Sequence, residues 1–167
     1  MSTLRERLRL VYPVLICLLM AVIFRYSAQP AGNSTAQSSR ICRTAAPYVF
    51  LGYAQASPDV QEELALSLTY VVRKGAHFAE YALLGALWYL WLRRRRLGWC
   101  VSIGASAGYA VTDEVHQLFV PGRAGMAADV LLDSAGAVCG VAGVFVLLCV
   151  LHCLHCRRAQ EKGVWKL

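Results

Sequence analysis

The sequence predicts an all-α, polytopic membrane protein with four transmembrane helices and an interfacial segment between the first and the second. Of its 167 residues, 57% are hydrophobic, against about 45–50% in ordinary soluble domains. This excess lies in long apolar runs, and basic residues gather at the ends of those runs. Because about 20 consecutive apolar residues cross a bilayer as a helix, the runs predict membrane-spanning helices within a single domain of residues 1–167.

The first span is predicted over about residues 10–28, where the run LVYPVLICLLMAVIF follows a basic start. The same arrangement is typical of a signal peptide, which is the alternative interpretation of this segment. The other spans are predicted over about residues 75–92, 97–119 and 128–154. In the last span a stripe of small residues follows Asp133, and small residues allow close helix packing. The stripe consists of Gly136, Gly140 and Gly143.

The connection between the first two spans has two parts. Residues 29–40, QPAGNSTAQSSR, are rich in turn-forming residues and predict a polar loop. Further on, residues 59–70 predict an amphipathic helix that lies at the membrane interface. Ser57 and Pro58 immediately before it are typical of a helix start. These two parts form the predicted interfacial segment.

Basic residues also predict the orientation of the protein. The arginine run Arg93–Arg96 separates spans two and three, and Pro121–Arg123 predicts a tight turn between spans three and four. Cytoplasmic loops carry an excess of Lys and Arg. We therefore expect a multi-pass protein of the cell membrane with both termini and Arg93–Arg96 in the cytoplasm. The net charge of +7 is explained by this topology, so we expect no nucleic-acid partner.

The ionisable residues of the last three spans fall towards one end of the predicted bundle. Consecutive spans run in opposite directions, so the start of span two, the end of span three and the start of span four meet at the outer face. A charge near the bilayer centre costs about 2.5–3.5 kcal/mol. These groups must therefore face the bundle interior, pair with one another or line a wet cavity. We interpret them as a functional site. The alternative is an ion-pair network that holds the helices in register.

These residues permit several chemistries. Clustered carboxylates beside an imidazole suit a divalent cation, or a general acid beside a general base. Basic side chains suit an anionic group such as a lipid phosphate. The candidate catalytic residues are His77, Glu80, Asp113, Glu114, Asp129 and Asp133. The candidate substrate-binding residues are Lys74, Gln117 and Arg123. The sequence identifies neither a cofactor nor a metal.

The seven cysteines predict no structural disulfide, since most lie in apolar runs where free Cys behaves as a small hydrophobic residue. A separate group of possible zinc ligands lies at the cytoplasmic end of span four. Their spacing places them on one helical face, far from the carboxylates. We expect no metal there. The group consists of Cys149, His152, Cys153 and Cys156.

Four stretches of the chain resemble the VanZ family of small membrane proteins. They are FRYSAQP after span one, RKGAHFAEYALLG at the start of span two, TDEVHQLFVPGR at the end of span three and ADVLLDSAGAVCG at the start of span four. They occur in the family's order between residues 24 and 140. The chain departs from the family pattern at AGMAAD, which follows the predicted turn, and in its C-terminal Cys/His group.

The resemblance implies reduced susceptibility to glycopeptides such as teicoplanin, exerted at the bacterial cell envelope. Our leading hypothesis is an outer-leaflet site that binds or modifies an envelope lipid or a lipid-linked wall precursor. Two other hypotheses remain open: a non-enzymatic lipid-binding or transport protein, and a structural partner in an envelope complex. Whether the protein is an enzyme is also left open at this point.

Overall fold

A computed structural model describes residues 2–161, and within that range the chain is entirely helical. The five α-helices are α1 (Ser2–Ser27), α2 (Ala31–Val49), α3 (Pro58–Leu92), α4 (Gly98–Gln117) and α5 (Ala127–Glu161), and a short 3₁₀ helix covers Tyr53–Gln55. The described residues contain no strand, so the all-α prediction is confirmed. Residue 1 and residues 162–167, which belong to the predicted cytoplasmic termini, lie outside the described range.

Two helices are long and apolar enough to cross a membrane. The qualifying segments are Leu10–Ser27 in α1 and Ala127–Gln160 in α5. Most side chains in both segments are not buried by the protein itself, as is expected of helices that face lipid. Helices α3 and α4 do not meet the same criterion, so the presence of four spans stays a prediction.

The structure has a helix, α2, where a polar loop was predicted over residues 29–40. The chain is helical from Ala31 onward, although Gly, Asn and Ser are frequent at its start. Helix α2 packs against α3, and its Cys42 and Ala46 are buried. The loop prediction was wrong because intrinsic propensity is a weak constraint, which tertiary packing of an apolar face overrides.

The predicted separate interfacial helix is part of the longer helix α3. Residues 59–70 form the first part of one continuous helix that runs to Leu92, and no separate element exists there. The helix begins at Pro58, as predicted, and contains no further proline and no glycine before Gly75 that would interrupt it. Its 35 residues rise about 52 Å. This exceeds the hydrocarbon thickness of about 30 Å, so α3 is too long to lie wholly within a bilayer.

Glycines bring α3 and α5 into backbone contact. A Cβ at Gly85 would lie 2.6 Å from the carbonyl oxygen of Ala137. A Cβ at Gly140 would lie 2.6 Å from the carbonyl carbon of Ala82 and closer still to its oxygen. A Cβ at Gly136 would likewise meet the backbone of Phe78, 3.2 Å from its carbonyl carbon and closer to its oxygen. Gly143, by contrast, has no neighbouring atom within 4 Å. The predicted packing stripe on α5 is thus correct at Gly136 and Gly140 and wrong at Gly143.

The central core joins α1, α3 and α4. It contains Ile16, Ile23, Tyr81, Leu84 and Ala110. The Tyr109 hydroxyl on α4 donates a hydrogen bond of 2.6 Å to the carbonyl oxygen of Met20 on α1. This contact and the apolar core hold the C-terminal end of α1 beside the C-terminal end of α4, where the polar residues collect.

Candidate functional site

The turn between α4 and α5 places Arg123 beside the end of α1. Gly122 has φ = +74°, a conformation that glycine adopts without a steric penalty. The Arg123 amide donates a hydrogen bond of 3.1 Å to the carbonyl oxygen of Val120 and closes the turn. The predicted tight turn at Pro121–Arg123 is therefore confirmed.

The Arg123 guanidinium binds backbone carbonyls at the end of α1. Its Nε donates to the carbonyl oxygen of Gln29 at 2.9 Å, and its Nη2 donates to that of Tyr26 at 3.1 Å. The last carbonyls of a helix lack partners within the helix, and a cation at this end is favourable. Arg123 thus ties the α4–α5 turn to the junction between α1 and α2.

A cavity of about 170 Å³ lies beside this junction. Helix α3 contributes most of its lining, because residues three and four apart lie on one helical face. Three lining side chains are cationic and one is a carboxylate. The lining residues are Tyr70, Arg73, Lys74, His77, Gln117, Arg123 and Asp129.

One ion pair crosses the cavity between α3 and α5. Lys74 Nζ binds the Oδ1 atom of Asp129 and also lies 5.5 Å from the centre of the Tyr70 ring, within the range of a cation–π interaction. The side chains of Lys74 and Asp129 are 27% and 23% exposed. The pair is therefore accessible from the cavity and is not sealed inside the bundle.

Arg73 and Arg123 bring two guanidinium groups to the same cavity. Arg73 Nη1 donates a hydrogen bond of 3.2 Å to the Thr35 hydroxyl on α2. Burial lowers the pKa of Arg123, and repulsion from Arg73 lowers that pKa further, while Asp113 and Glu114 act in the opposite direction. Repulsion between the two cations would be relieved by an anion between them.

Below the cavity, Gln117 connects two carboxylates of α4. Its Nε2 lies 3.3 Å from Asp113 Oδ2 and 3.2 Å from Glu114 Oε1, with the amide as donor. Glu114 Oε2 also accepts a hydrogen bond of 2.9 Å from the Met126 amide, just before α5 begins. Glu114 thus fixes the start of α5, and Gln117 links the cavity to the carboxylates beneath it.

The structure brings most of the predicted site residues together, in two layers. Lys74, His77, Gln117, Arg123 and Asp129 line the cavity. Asp113, Glu114 and Asp133 are buried further inside the bundle.

Glu80 is only half-buried and does not line the cavity. It interacts electrostatically with Asp113 and Asp133. Glu80 therefore lies at the periphery of the cluster in which it was predicted.

Two lining residues were missed by sequence reasoning. Tyr70 lies four residues before Lys74, and Arg73 lies immediately before it. Helical spacing from Lys74 along α3 was the signal that could have identified them. It was hidden because the prediction started span two at about residue 75 and treated the preceding residues as a separate interfacial helix.

The described residues contain no group of three or more His, Cys, Asp or Glu side chains placed to hold a metal ion. In the C-terminal Cys/His group, Cys156 Sγ lies 3.7 Å from His152 Nε2, and both side chains are exposed. Cys149 and Cys153 are exposed and free as well. The geometry gives no support to a metal site in this C-terminal group.

The structure defines an all-helical protein that has two helices suited to crossing a bilayer and a basic cavity at one end of the bundle. A family model described as VanZ/LLP1 matches residues 12–150, which is most of the chain. The chain belongs to the VanZ/LLP1 family. A search of the curated proteins found no match, and a search of the solved structures found none either.

Proposed function

We propose that this protein binds the phosphate-bearing headgroup of an envelope lipid or a lipid-linked wall precursor at the outer leaflet of the bacterial cell membrane. The observation that carries the proposal is the charge of the cavity. Arg73, Lys74 and Arg123 bring three positive charges and Asp129 one negative charge, which leaves an excess of two positive charges with His77 neutral. A phosphate monoester carries about −1.5 to −2 charge at pH 7, so it matches this excess.

The size of the cavity favours a headgroup over a larger ligand. Its volume of about 170 Å³ lies below the range of about 300–1,000 Å³ for sites that enclose drug-sized molecules. The cavity is therefore too small to enclose a glycopeptide antibiotic. A phosphate group fits, and the acyl or prenyl chain of its lipid would remain outside. Apolar side chains within two positions of lining residues in the chain, including Val71, Leu118 and Phe119, are exposed and would offer a surface for such a chain.

The proposed topology has four spans, with α2 and the first part of α3 on the outer side. The Arg93–Arg96 connection is exposed and joins the ends of α3 and α4 that lie away from the cavity. The positive-inside rule favours the cytoplasm for this connection and for both termini. The cavity then faces the outer leaflet. The excess length of α3 is accommodated because residues before Lys74 project beyond the hydrocarbon.

A catalytic role is the second candidate, and His77 favours it. This residue lines the cavity, and its Nδ1 is buried without a hydrogen-bond partner within the protein. An imidazole beside a bound phosphate could act as a general acid or base, with Asp113 and Glu114 beneath it as neighbouring carboxylates. We rank binding above catalysis because the cavity supplies cations for the phosphate.

Binding of such a lipid would change the access of a lipidated glycopeptide to the outer leaflet, and membership of the family fits a protein of the teicoplanin-resistance type. Lipid mass spectrometry and teicoplanin susceptibility of cells with and without the protein test this proposal together. We expect lower susceptibility and copurification of a phosphate-bearing lipid with the native chain, and neither effect with Lys74→Gln.

The matched control is Arg43→Gln, which also removes one positive charge. Arg43 pairs with Glu62 at 2.5 Å on the exposed surface, away from the cavity lining. This control should behave like the native chain. If no phosphate-bearing lipid copurifies, or if both variants lose the effect equally, the proposal is wrong.

A further inference from the structure

A layer of unpartnered oxygen atoms lies below the cavity. Tyr81 from α3, Asp113 from α4 and Asp133 from α5 form this layer. Each of these helices also contributes a residue to the cavity lining. In each helix, the residue of the oxygen layer is four positions away from that lining residue, towards the interior of the bundle. Four residues rise about 6 Å along a helix, so the oxygen layer lies one helical turn below the cavity lining.

These three side chains are buried, and four of their five oxygens have no hydrogen-bond partner within the protein; the fifth, Asp113 Oδ2, accepts from Gln117. Tyr81 and Asp133 are 0% exposed, and Asp113 is 2% exposed. The Tyr81 hydroxyl, one oxygen of Asp113 and both oxygens of Asp133 make no hydrogen bond. Nearly all buried polar groups in proteins are hydrogen-bonded, and an unpaired buried carboxylate is strongly unfavourable. The layer therefore calls for a ligand that offers positive charge.

Most charged groups around the layer are negative, although Arg123 also interacts electrostatically with Asp113. The Tyr81 hydroxyl interacts electrostatically with Asp113 and Asp133. Asp133 in turn interacts with four other carboxylates, which are those of Glu80, Asp113, Glu114 and Asp129. Among the described side chains, the ion pairs are those of Lys74 with Asp129 and of Arg43 with Glu62. Neither pair neutralises Asp113 or Asp133.

We propose that Tyr81, Asp113 and Asp133 form a binding site for sodium. Oxygen atoms alone are the ligands that hard cations prefer. Divalent calcium takes about six to eight oxygens, whereas this layer offers four unpartnered ones from two carboxylates and one hydroxyl. Because the desolvation cost of an ion rises with the square of its charge, a monovalent ion is less costly to bury with so few ligands. The site goes beyond the proposed function, because it involves none of the side chains that line the phosphate-binding cavity.

Thermal unfolding of the full chain in detergent tests this site. Sodium chloride is titrated at fixed pH, with choline chloride replacing it at equal ionic strength. A ligand that binds only the folded state raises the Tm in a saturable way. We therefore expect sodium to raise the Tm and choline to leave it unchanged. No sodium-specific rise would overturn the proposal, as would stabilisation that follows pH and is independent of sodium.

Two variants of the layer and one control complete the test. Asp133→Asn should abolish the sodium response. Tyr81→Phe keeps the ring and removes one neutral oxygen, so the sodium concentration at half-effect should rise about two- to tenfold. Tyr81→Phe also decides the case if Asp133→Asn does not fold. The control Glu62→Gln, at the exposed ion pair, should respond like the native chain.

An unchanged response in Tyr81→Phe, together with an unchanged response in any folded Asp133→Asn, would overturn the proposal. Lys74→Gln separates the two functions, because it should lose lipid binding and keep the sodium response. If native protein binds no phosphate lipid but responds to sodium, only the proposed function fails.

Discussion

The contact between α3 and α5 predicts that two glycines of the same helix respond in opposite ways to alanine. Gly140 and Gly143 are three residues apart on α5. A Cβ at Gly140 would lie 2.6 Å from the carbonyl carbon and 3.0 Å from the Cα of Ala82, whereas a Cβ at Gly143 would meet no atom within 4 Å. Only Gly140→Ala should therefore disturb the packing of α5 on α3.

The magnitude follows from these distances. The carbonyl carbon of Ala82 would have to move by at least about 0.8 Å to reach the 3.4 Å at which Cβ contacts become ordinary. It belongs to the backbone and cannot rotate aside as a side chain can. Overpacking of a tight contact costs about 1–3 kcal/mol, and we expect Gly140→Ala to lie near the upper end. Replacing a glycine in an open part of a helix instead gains about 0.5–1 kcal/mol, which is the expectation for Gly143→Ala.

The assay is thermal or denaturant unfolding of both variants in the same detergent, with the native chain as reference. We expect a lower Tm for Gly140→Ala and an equal or higher Tm for Gly143→Ala. Equal destabilisation by both substitutions, or a stabilising Gly140→Ala, would refute the close backbone approach of the two helices.

Three further predictions concern the cavity and the end of α1. Asp129→Asn removes the carboxylate that pairs with Lys74, so the affinity of the cavity for a lipid phosphate should rise about two- to fivefold. A loss of affinity in lipid titrations would contradict this. Arg123→Gln removes a charged donor from two backbone carbonyls and should cost about 1.5–3 kcal/mol, seen as a lower Tm; an unchanged Tm would show that these bonds do not hold α1. Tyr109→Phe removes the hydroxyl bond to Met20 and should cost about 0.5–1.5 kcal/mol, with proteolysis of α1 as a second measurement; native resistance and native Tm together would refute that role.

The sequence predicted the meeting of the charged residues because that prediction rests on helix direction alone. Antiparallel helices bring the start of one and the end of the next together, whatever their side-chain contacts. Lys74, Gln117 and Asp129 therefore meet as expected. The sequence did not predict which of the site residues line the cavity and which are buried below it. That distinction depends on a single helical turn and on how closely the glycines let α5 approach α3.

The role of Arg123 shows a second limit of the sequence. We predicted that it binds an anion, and it does line the cavity. Two of its donors, however, bind the carbonyl oxygens of Tyr26 and Gln29. Those residues are more than 90 positions away in the chain, and no local pattern indicates that the end of α1 lies beside the α4–α5 turn.

The connection between α1 and α3 was predicted least well. Its first residues are turn formers by composition, yet they begin helix α2. Helix α2 is stabilised by packing against α3, including the contact of Arg73 with Thr35. Such a contact cannot be inferred from propensity, because it depends on α3 continuing well beyond the length that a bilayer requires.

The central claim, that the cavity binds a lipid phosphate through its excess positive charge, is tested most directly by titrating lipid onto the purified chain. Native mass spectrometry with phosphatidic acid measures this affinity, and phosphatidylcholine serves as the zwitterionic comparison. The account predicts a clear preference for phosphatidic acid, weakened about tenfold to a hundredfold by Lys74→Gln and unchanged by Arg43→Gln. Equal affinity for both lipids, or the same loss in both variants, would contradict it.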